Sequence, residues 1–281
     1  MPIPPIAHFG TTLAEPAPDE GVDPASVPFA ADLDRTDRFL SLLGMDRFID
    51  NVYPGLGRQF IYRRGNLDDA DYFEKDIFTS YSAQCPPPSE RPRVADTIFR
   101  LTHPDPIPVC RELVTDGLAT PAGPSQELEG FLAGVLEAVL VVGPDHQGYE
   151  LATTRESALD NHAVFVWTDP DRLVETVASY AEQFAIDALP NDELRTFHGI
   201  ASLTVLQRQT SRVTIRLLAP PEGALAPRWT DDIFKEAGYS HFRLASPNKD
   251  RVKAASREVF PDTGNVSFIQ FCESYLELVP I

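Results

Sequence analysis

Helical spacing of apolar residues marks several segments of the chain. Phe39, Leu40, Leu43 and Phe48 are one to five positions apart, and Asp34 stands where a helix cap belongs. A second clear helix begins at Asp169–Pro170, because proline is favoured in the first helical turn. The same spacing predicts further helices over residues 68–78, 109–118, 127–141, 229–237 and 250–259.

Alternation with a period of two marks the strands between these helices. Over residues 93–102, Asp96, Ile98 and Arg100 face one way, and the intervening Thr97 and Phe99 face the other. Further strands are predicted over residues 77–82, 149–154, 162–168, 197–206, 212–218, 242–245, 266–271 and 275–278. The repeated order helix, strand, strand, helix favours an α+β fold of αββα units, in which an antiparallel β-barrel is ringed by helices.

Proline-rich composition sets the first thirty residues apart. Prolines stand at positions 2, 4, 5, 16, 18, 24 and 28, with small and acidic residues between them. Such a segment buries too little apolar surface to offset its ordering entropy. The sequence therefore predicts a disordered arm over residues 1–31 and a single αββα-repeat domain over residues 32–281.

The charge of the chain excludes several classes of partner. The formal net charge is −18, so neither nucleic acid nor an anionic membrane surface is expected to bind. We find no secretion signal and no apolar run of the roughly 18 residues that a membrane helix needs. The three cysteines have no disulfide-framework or zinc-finger spacing, which favours a reduced, cytoplasmic protein.

Familiar catalytic motifs are absent from the sequence. It contains no phosphate loop of the GxxxxGK[ST] type, no GxGxxG, no HExxH and no GxSxG. The acidic run DDADYFEKD, residues 68–76, resembles a magnesium–diphosphate cluster, but a solvated helix N-terminus is the simpler interpretation. The histidines have no metal-ligand spacing, so we expect surface or loop positions rather than ligands for His8, His103, His146, His162, His198 and His241.

Several segments resemble the soluble ABBA-type prenyltransferases, also called PT-barrel enzymes, which include bacterial aromatic and cyanobactin peptide prenyltransferases. The segments are VADTIFRLTHPDPIPVCRELVTDGL, DNHAVFVWTDPDRL, FHGIASLTVLQRQTSRVTIRLL and SREVFPDTGNVSFIQF. The resemblance implies an antiparallel barrel that holds an isoprenyl diphosphate between cationic side chains and an aromatic wall.

Candidate site residues follow from the same resemblance. Asp96 matches the position that binds magnesium in the metal-dependent members, so Mg²⁺ is the one cofactor implied. Arg100 and Arg216 would point inward as anion contacts, or would instead pair with carboxylates in solvent. The remaining substrate-binding candidates are aromatic wall residues or stand where the family places diphosphate-binding side chains: Phe165, Trp167, Phe268, Asn161 and Thr214.

Three functional hypotheses remain open at this point. The first is prenyl transfer from a diphosphate to an aromatic or peptide acceptor in secondary metabolism. The second keeps the barrel as a cofactor-free cyclase or isomerase, or as an accessory protein that binds a hydrophobic ligand or peptide, because the basic diphosphate set is incomplete. The third is an interaction protein, an oligomer or a partner subunit, whose missing final strands come from another chain.

Overall fold

A computed structural model describes most of the chain. The described residues are 7–17, 31–53, 57–66, 72–85, 92–94, 96–121, 135–154, 162–184, 187–188, 202–207, 213–219, 223, 225–229, 235–238, 240–246, 250, 267–272 and 274–280. Within these ranges, no helix is both long enough and apolar enough to cross a membrane.

Helices are few and strands are many in the described ranges. The helices are α1 (Ala31–Leu42), α2 (Pro106–Thr115) and α3 (Leu173–Phe184), and a 3₁₀ turn, Pro170–Arg172, leads into α3. The strands are β1 (Ala7–Ala14), β2 (Asp46–Tyr53), β3 (Gly57–Arg64), β4 (Phe73–Ser80), β5 (Thr97–Thr102), β6 (Thr120–Pro121), β7 (Val135–Val142), β8 (Gly148–Thr154), β9 (His162–Trp167), β10 (Asp187–Ala188), β11 (Ser202–Gln207), β12 (Val213–Ala219), β13 (Ser240–Ser246), β14 (Ser267–Phe271) and β15 (Ser274–Pro280).

These strands form two mixed sheets. Sheet I has the order β14-β15-β13-β1-β4-β3-β2, and sheet II has the order β10-β11-β12-β9-β5-β8-β7-β6. Three βαβββ units are described, β1-α1-β2-β3-β4, β5-α2-β6-β7-β8 and β9-α3-β10-β11-β12, and sheet I also contains β13, β14 and β15. In each unit the first strand lies parallel to the last, as β1 does to β4 and β5 to β8, and β13 is likewise parallel to β15. At the middle of each sheet two strands pair antiparallel, β1 with β13 and β5 with β9.

The core lies where the two sheets and the helices meet. Phe9 of sheet I stacks on Phe99 of sheet II, with ring centroids 4.6 Å apart. Phe39 of α1 packs on Tyr149 of β8, and Tyr180 of α3 packs on the β14 side chain of Phe271. Because side chains alternate along a strand, every second residue of the middle strands faces away from this core.

The expected barrel is wrong. The described strands form two sheets and not a closed ring, and the parallel pairing of first and last strands in each unit is incompatible with an all-antiparallel PT-barrel. Two further predictions are wrong, because segments expected to be helices contain strands. Strand β7 occupies part of residues 127–141, and strand β4 occupies part of residues 68–78. Strand β1 lies inside the segment for which an arm was expected, and it pairs on both sides with β4 and β13.

Candidate metal centre

Four strands of sheet I bring a cluster of histidine and carboxylate side chains together. His8 lies on β1, Asp76 on β4, His241 on β13 and Glu277 on β15. Their sequence neighbours, such as Phe9, Phe242 and Leu276, belong to the apolar core. Alternation along each strand therefore places the polar cluster on the face of sheet I opposite to the core.

The cluster is compact and buried. One potential ligand atom each from His8, His241 and Glu277 lies within 4.8 Å of the other two. His8 Nε2 is 3.1 Å from Glu277 Oε2. Asp76 Oδ2 is 3.9 Å from both His8 Nε2 and His241 Nε2. All four residues are at most 5% exposed, so water competes little for these atoms.

A second layer of hydrogen bonds orients the cluster. Glu74 Oε2 lies 2.8 Å from His8 Nδ1, and Tyr72 donates its hydroxyl to Glu74 Oε1 at 2.7 Å. Arg243 donates to both oxygens of Glu277, at 3.0 and 2.9 Å. A carboxylate on one ring nitrogen of a histidine directs the other nitrogen to a metal in many metalloproteins. In this arrangement Nε2 is the nitrogen of His8 that faces the cluster.

A glycine on β1 makes room for one of the imidazoles. Gly10 is the register partner of His241, and a Cβ added at Gly10 would overlap with the ring atoms of His241. The imidazole therefore lies directly against the backbone of β1. Any larger residue at position 10 would force His241 out of the cluster.

Burial and neighbouring charges set the protonation states in the cluster. Burial lowers the pKa of His241 to about 3, so its imidazole is neutral near pH 7. Burial raises the pKa of Asp76 to about 6. Burial would also raise the pKa of Glu277, but the charges of His8 and Arg243 and the hydrogen bonds from Arg243 outweigh it and lower this pKa to about 2.

These side chains fit a divalent transition-metal ion. Two imidazoles and a carboxylate are the donors that such ions prefer, and His241 is in the neutral form that can donate a lone pair. His8 Nε2 is buried and makes no hydrogen bond to any described residue, and the same is true of Asp76 Oδ1. Glu277 retains acceptor sites beyond those that Arg243 uses, because an ionised carboxylate offers about four.

The equivalent position in sheet II lacks these donors. Arg100 donates to both oxygens of Glu150 at 2.9 Å, which repeats the Arg243–Glu277 pair. In both cases the arginine and glutamate are register partners on parallel strands. His241 stands two residues before Arg243, whereas Ile98 stands two residues before Arg100. The metal donors are therefore a property of sheet I among the described residues.

The residues predicted from the sequence lie mostly in sheet II. Arg100 pairs with Glu150, and its guanidinium lies 5.2 Å from the centre of the Phe165 ring. Asp96 and Trp167 line a cavity at one end of that sheet, away from the metal cluster. Arg216 and Thr214 lie on β12, Phe268 is the register partner of Glu277 on β14, and Asn161 lies outside the described residues.

The residues of the metal cluster were missed by the sequence analysis. His8 and His241 are buried on strands, so the expectation of surface or loop positions for them is wrong. Asp76 and Glu74 belong to a buried strand and not to a solvated helix N-terminus. The available signal was local: in residues 240–246 and 274–280, polar and apolar residues alternate around His241 and Glu277.

Comparison with known proteins identifies the fold. No family model matches the sequence, and no curated protein matches it. Among solved structures, a variant of glyoxalase I from Zea mays superposes with a TM-score of 0.60 at 12% identity, covering 98% of this chain and 93% of that chain. A second variant gives a TM-score of 0.58, and a further structure of the maize enzyme gives 0.57 at 11% identity. This chain has the glyoxalase I fold.

That fold, also called the vicinal oxygen chelate fold, replaces the earlier interpretation. The resemblance to ABBA-type prenyltransferases is wrong, and with it the expectation of prenyl transfer and of a barrel-based cyclase, isomerase or accessory protein. The repeated βαβββ unit explains the misassignment, because it also alternates helices with strand pairs. Magnesium at Asp96 was inferred from that resemblance alone, whereas the donor cluster found among the described residues consists of His8, His241 and Glu277.

Alanine at position 10 tests how the site is built. We expect Gly10→Ala to lower the affinity for a divalent metal by on the order of tenfold or more, because the new methyl group displaces the His241 imidazole. The measurement is isothermal titration with Ni²⁺ or Zn²⁺. Gly148→Ala is the matched control, since its methyl group would meet only the side chain of Ile98 in sheet II. Equal affinities of the two variants would contradict this role of Gly10.

Proposed function

We propose that this protein is a metal-dependent enzyme, with one divalent transition-metal ion held by His8, His241 and Glu277. The observation that carries the proposal is the convergence of these three buried donors within 4.8 Å. Two imidazoles and one carboxylate leave coordination positions open for a substrate. The fold shared with a glyoxalase I supports an enzyme of the lyase or isomerase type.

Asp76 suggests the reaction class. Its Oδ2 accepts a hydrogen bond from Gln59 at 2.7 Å, while Oδ1 makes no hydrogen bond to a described residue. With a pKa raised to about 6 by burial, the carboxylate is ionised near pH 7 and is a stronger base than an exposed aspartate. A metal ion in the cluster would polarise a substrate oxygen. Asp76 can then accept a proton from the carbon next to that oxygen.

The surrounding residues position these groups. Glu74 and Tyr72 hold the ring of His8, and Arg243 holds the carboxylate of Glu277. The substrate class that meets these requirements is a small α-hydroxy or α-oxo carbonyl compound. It has two neighbouring oxygens for the open positions and an acidic C–H bond for Asp76.

Proton exchange at carbon tests this function. The metal-loaded protein is incubated in D₂O with α-hydroxyketones and with hemithioacetals of 2-oxoaldehydes, and exchange and product formation are followed by NMR. We expect Asp76→Asn to slow the exchange by roughly 100-fold or more, since general-base catalysis contributes about 10²–10⁴-fold. Metal binding should persist in this variant. Unchanged exchange in Asp76→Asn would contradict the role of Asp76 as the base.

A second candidate function is favoured by the donor set itself. Two histidines and one carboxylate with open positions are the ligands of non-haem Fe(II) oxygenases. Under this alternative, the Fe(II)-loaded protein consumes O₂ in the presence of a chelating diol substrate, whereas the Zn²⁺-loaded protein is inactive. Activity with Zn²⁺ or Ni²⁺ and no O₂ uptake would decide for proton transfer.

A further inference from the structure

A cavity in sheet II is separate from the metal centre. It has a volume of about 330 Å³ and lies at the end of the sheet where Asp96 immediately precedes β5 and accepts a backbone hydrogen bond from Trp167 of β9 at 3.0 Å. His8, Asp76, His241 and Glu277 do not line it. The volume is within the range of small-molecule sites, for which about 300 Å³ is a typical lower bound.

Part of the cavity lining is apolar and includes an indole ring. The apolar lining residues belong to strands β5, β7 and β9 and are Ile98, Leu140, Val142 and Trp167. Gly148 leaves space in the cavity beside Ile98, because it has no side chain. A Cβ at this residue would lie 3.0 Å from Ile98 Cγ1. An indole next to aliphatic side chains suits a planar aromatic ring.

Two carboxylates also line the cavity. Asp96 Oδ2 accepts a hydrogen bond from the backbone N–H of Arg93 at 2.8 Å, and the carboxylate of Glu236 belongs to a residue that is only 3% exposed. Arg228 is 4.0 Å from Glu236, and its NH1 donates to the carbonyl of Val94. The Asp96 side chain makes this single hydrogen bond within the described part of the chain, so Oδ1 can accept another.

Electrostatics favour a cationic ligand at Asp96. Burial raises the pKa of Asp96, although the hydrogen bond from Arg93 and the charges of Arg228 and Arg93 act in the opposite direction. The carboxylate is thus poorly solvated, and a positive group beside it would replace the missing water. The net charge of −18 also raises the local concentration of small cations around the protein.

We propose that this cavity is a second binding site, specific for small aromatic amines. The aromatic ring of the ligand packs on Trp167 and Ile98, and its ammonium group donates a hydrogen bond to Asp96. A cation near the indole face gains a cation–π attraction in addition. We expect an aromatic acid of the same size to bind more weakly than the amine, because it meets Asp96 and Glu236 as like charges, although Arg93 also lines the cavity and Arg228 lies beside Glu236.

Tryptophan fluorescence can report on this cavity alone. The sequence has two tryptophans, so Trp229→Phe leaves Trp167 as the single indole. This variant is titrated with 2-phenylethylamine, 2-phenylethanol and 3-phenylpropanoate, and the wild-type protein is titrated in parallel by calorimetry. We expect saturable binding of the amine, with an affinity about tenfold or more above those of the alcohol and the acid, as a charge-assisted hydrogen bond provides.

Two variants separate this site from alternatives. Asp96→Asn should reduce the affinity for the amine about tenfold. Asp171→Asn, the same change of charge on the exposed turn before α3, should leave it unchanged. Glu277→Gln should bind the amine with the wild-type affinity. Such a result would show that amine binding does not depend on the metal centre. Absence of amine binding to the wild-type protein, equal binding of amine and acid, or full affinity in Asp96→Asn would each overturn the proposal.

Discussion

Replacement of Glu277 by glutamine is expected to weaken divalent metal binding by on the order of 100-fold or more, since loss of even an outer-shell partner costs roughly 10–100-fold. Glu277 supplies the only carboxylate of the buried triad with His8 and His241. The neutral amide of glutamine is a poorer metal ligand than the carboxylate of Glu277. The substitution also removes the negative charge beside Arg243. Isothermal titration with Ni²⁺, Zn²⁺ and Fe²⁺ measures the change directly.

Thermal unfolding gives an independent test of the same prediction. A metal present at 100 times its dissociation constant stabilises the folded protein by about 2.7 kcal/mol, which corresponds to a rise in melting temperature of roughly 5 °C for a chain of this length. We expect this rise in the wild-type protein and its loss in Glu277→Gln.

Glu150→Gln is the matched control for Glu277→Gln. It breaks the corresponding arginine–glutamate pair in sheet II, which involves Arg100, without touching a metal donor. We expect it to lower the melting temperature of the metal-free protein and to keep the metal-dependent rise. A normal rise in Glu277→Gln, or its loss in Glu150→Gln, would contradict the assignment of the metal centre to sheet I.

Local structure was predictable where both the residue types and the neighbouring elements favour the same conformation. Helices α1 and α2 and the paired strands β11 and β12 lie near the predicted segments. The spacing of their apolar residues favours the same conformation as their packing does. Strand β7 was predicted as a helix from the spacing of its apolar residues, although a run of buried apolar residues is equally compatible with a strand. Pairing of β7 with β8 along its length stabilises the strand.

The sheet connectivity could not be predicted from local patterns. A helix between two strands was taken to separate antiparallel hairpins, whereas here it makes the first and last strands of each unit parallel neighbours, as in β1 and β4. The antiparallel pairing of β1 with β13 brings together segments from near opposite ends of the chain. No spacing rule relates such segments, so the barrel prediction had the wrong strand partners in addition to some wrong elements, such as the helix predicted at β7.

The same connectivity hides the metal centre from sequence analysis. Metal motifs are recognised when ligands lie a few residues apart on one element. Here His8, His241 and Glu277 lie on three strands that become neighbours only in the folded sheet. In β5, Phe99 and Leu101 face the core, as the alternation predicted, but the opposite face carries the Arg100–Glu150 pair and no metal donors. The sequence thus predicted faces of strands, but not which face carries a metal.

A buried ion pair joins the two sheets, and the loss of either partner alone should strongly destabilise the protein. Lys75 of β4 lies 3.1 Å from Asp145, and both side chains have no exposed surface. Tyr149 donates its hydroxyl to the same carboxylate at 2.6 Å, and Lys75 also donates to Thr11. The ammonium group lies 4.6 Å from the centre of the Phe99 ring. Sheet I and sheet II are therefore connected through a charge pair that has no surface exposed to solvent.

We expect Lys75→Met to lower the free energy of unfolding by about 3–5 kcal/mol, because the substitution leaves Asp145 as an uncompensated buried charge. Asp145→Asn should destabilise the protein to a similar extent by leaving the ammonium group of Lys75 unpaired. The double variant Lys75→Met/Asp145→Asn removes both charges, and its loss should be clearly smaller than the sum of the single losses. Urea unfolding of the four proteins, followed by circular dichroism, measures this coupling.

Arg38→Met is the control for Lys75→Met, since it removes a cation from a pair on the surface. Arg38 lies 3.6 Å from Asp116, and the two side chains are 65% and 42% exposed. Water and salt screen this pair, so its loss should cost less than about 1 kcal/mol. If Lys75→Met costs no more than Arg38→Met, or if the Lys75 and Asp145 substitutions are additive, then the pair is not ionised in the folded protein. The connection between the sheets would then depend more on apolar contacts such as the one between Phe9 and Phe99.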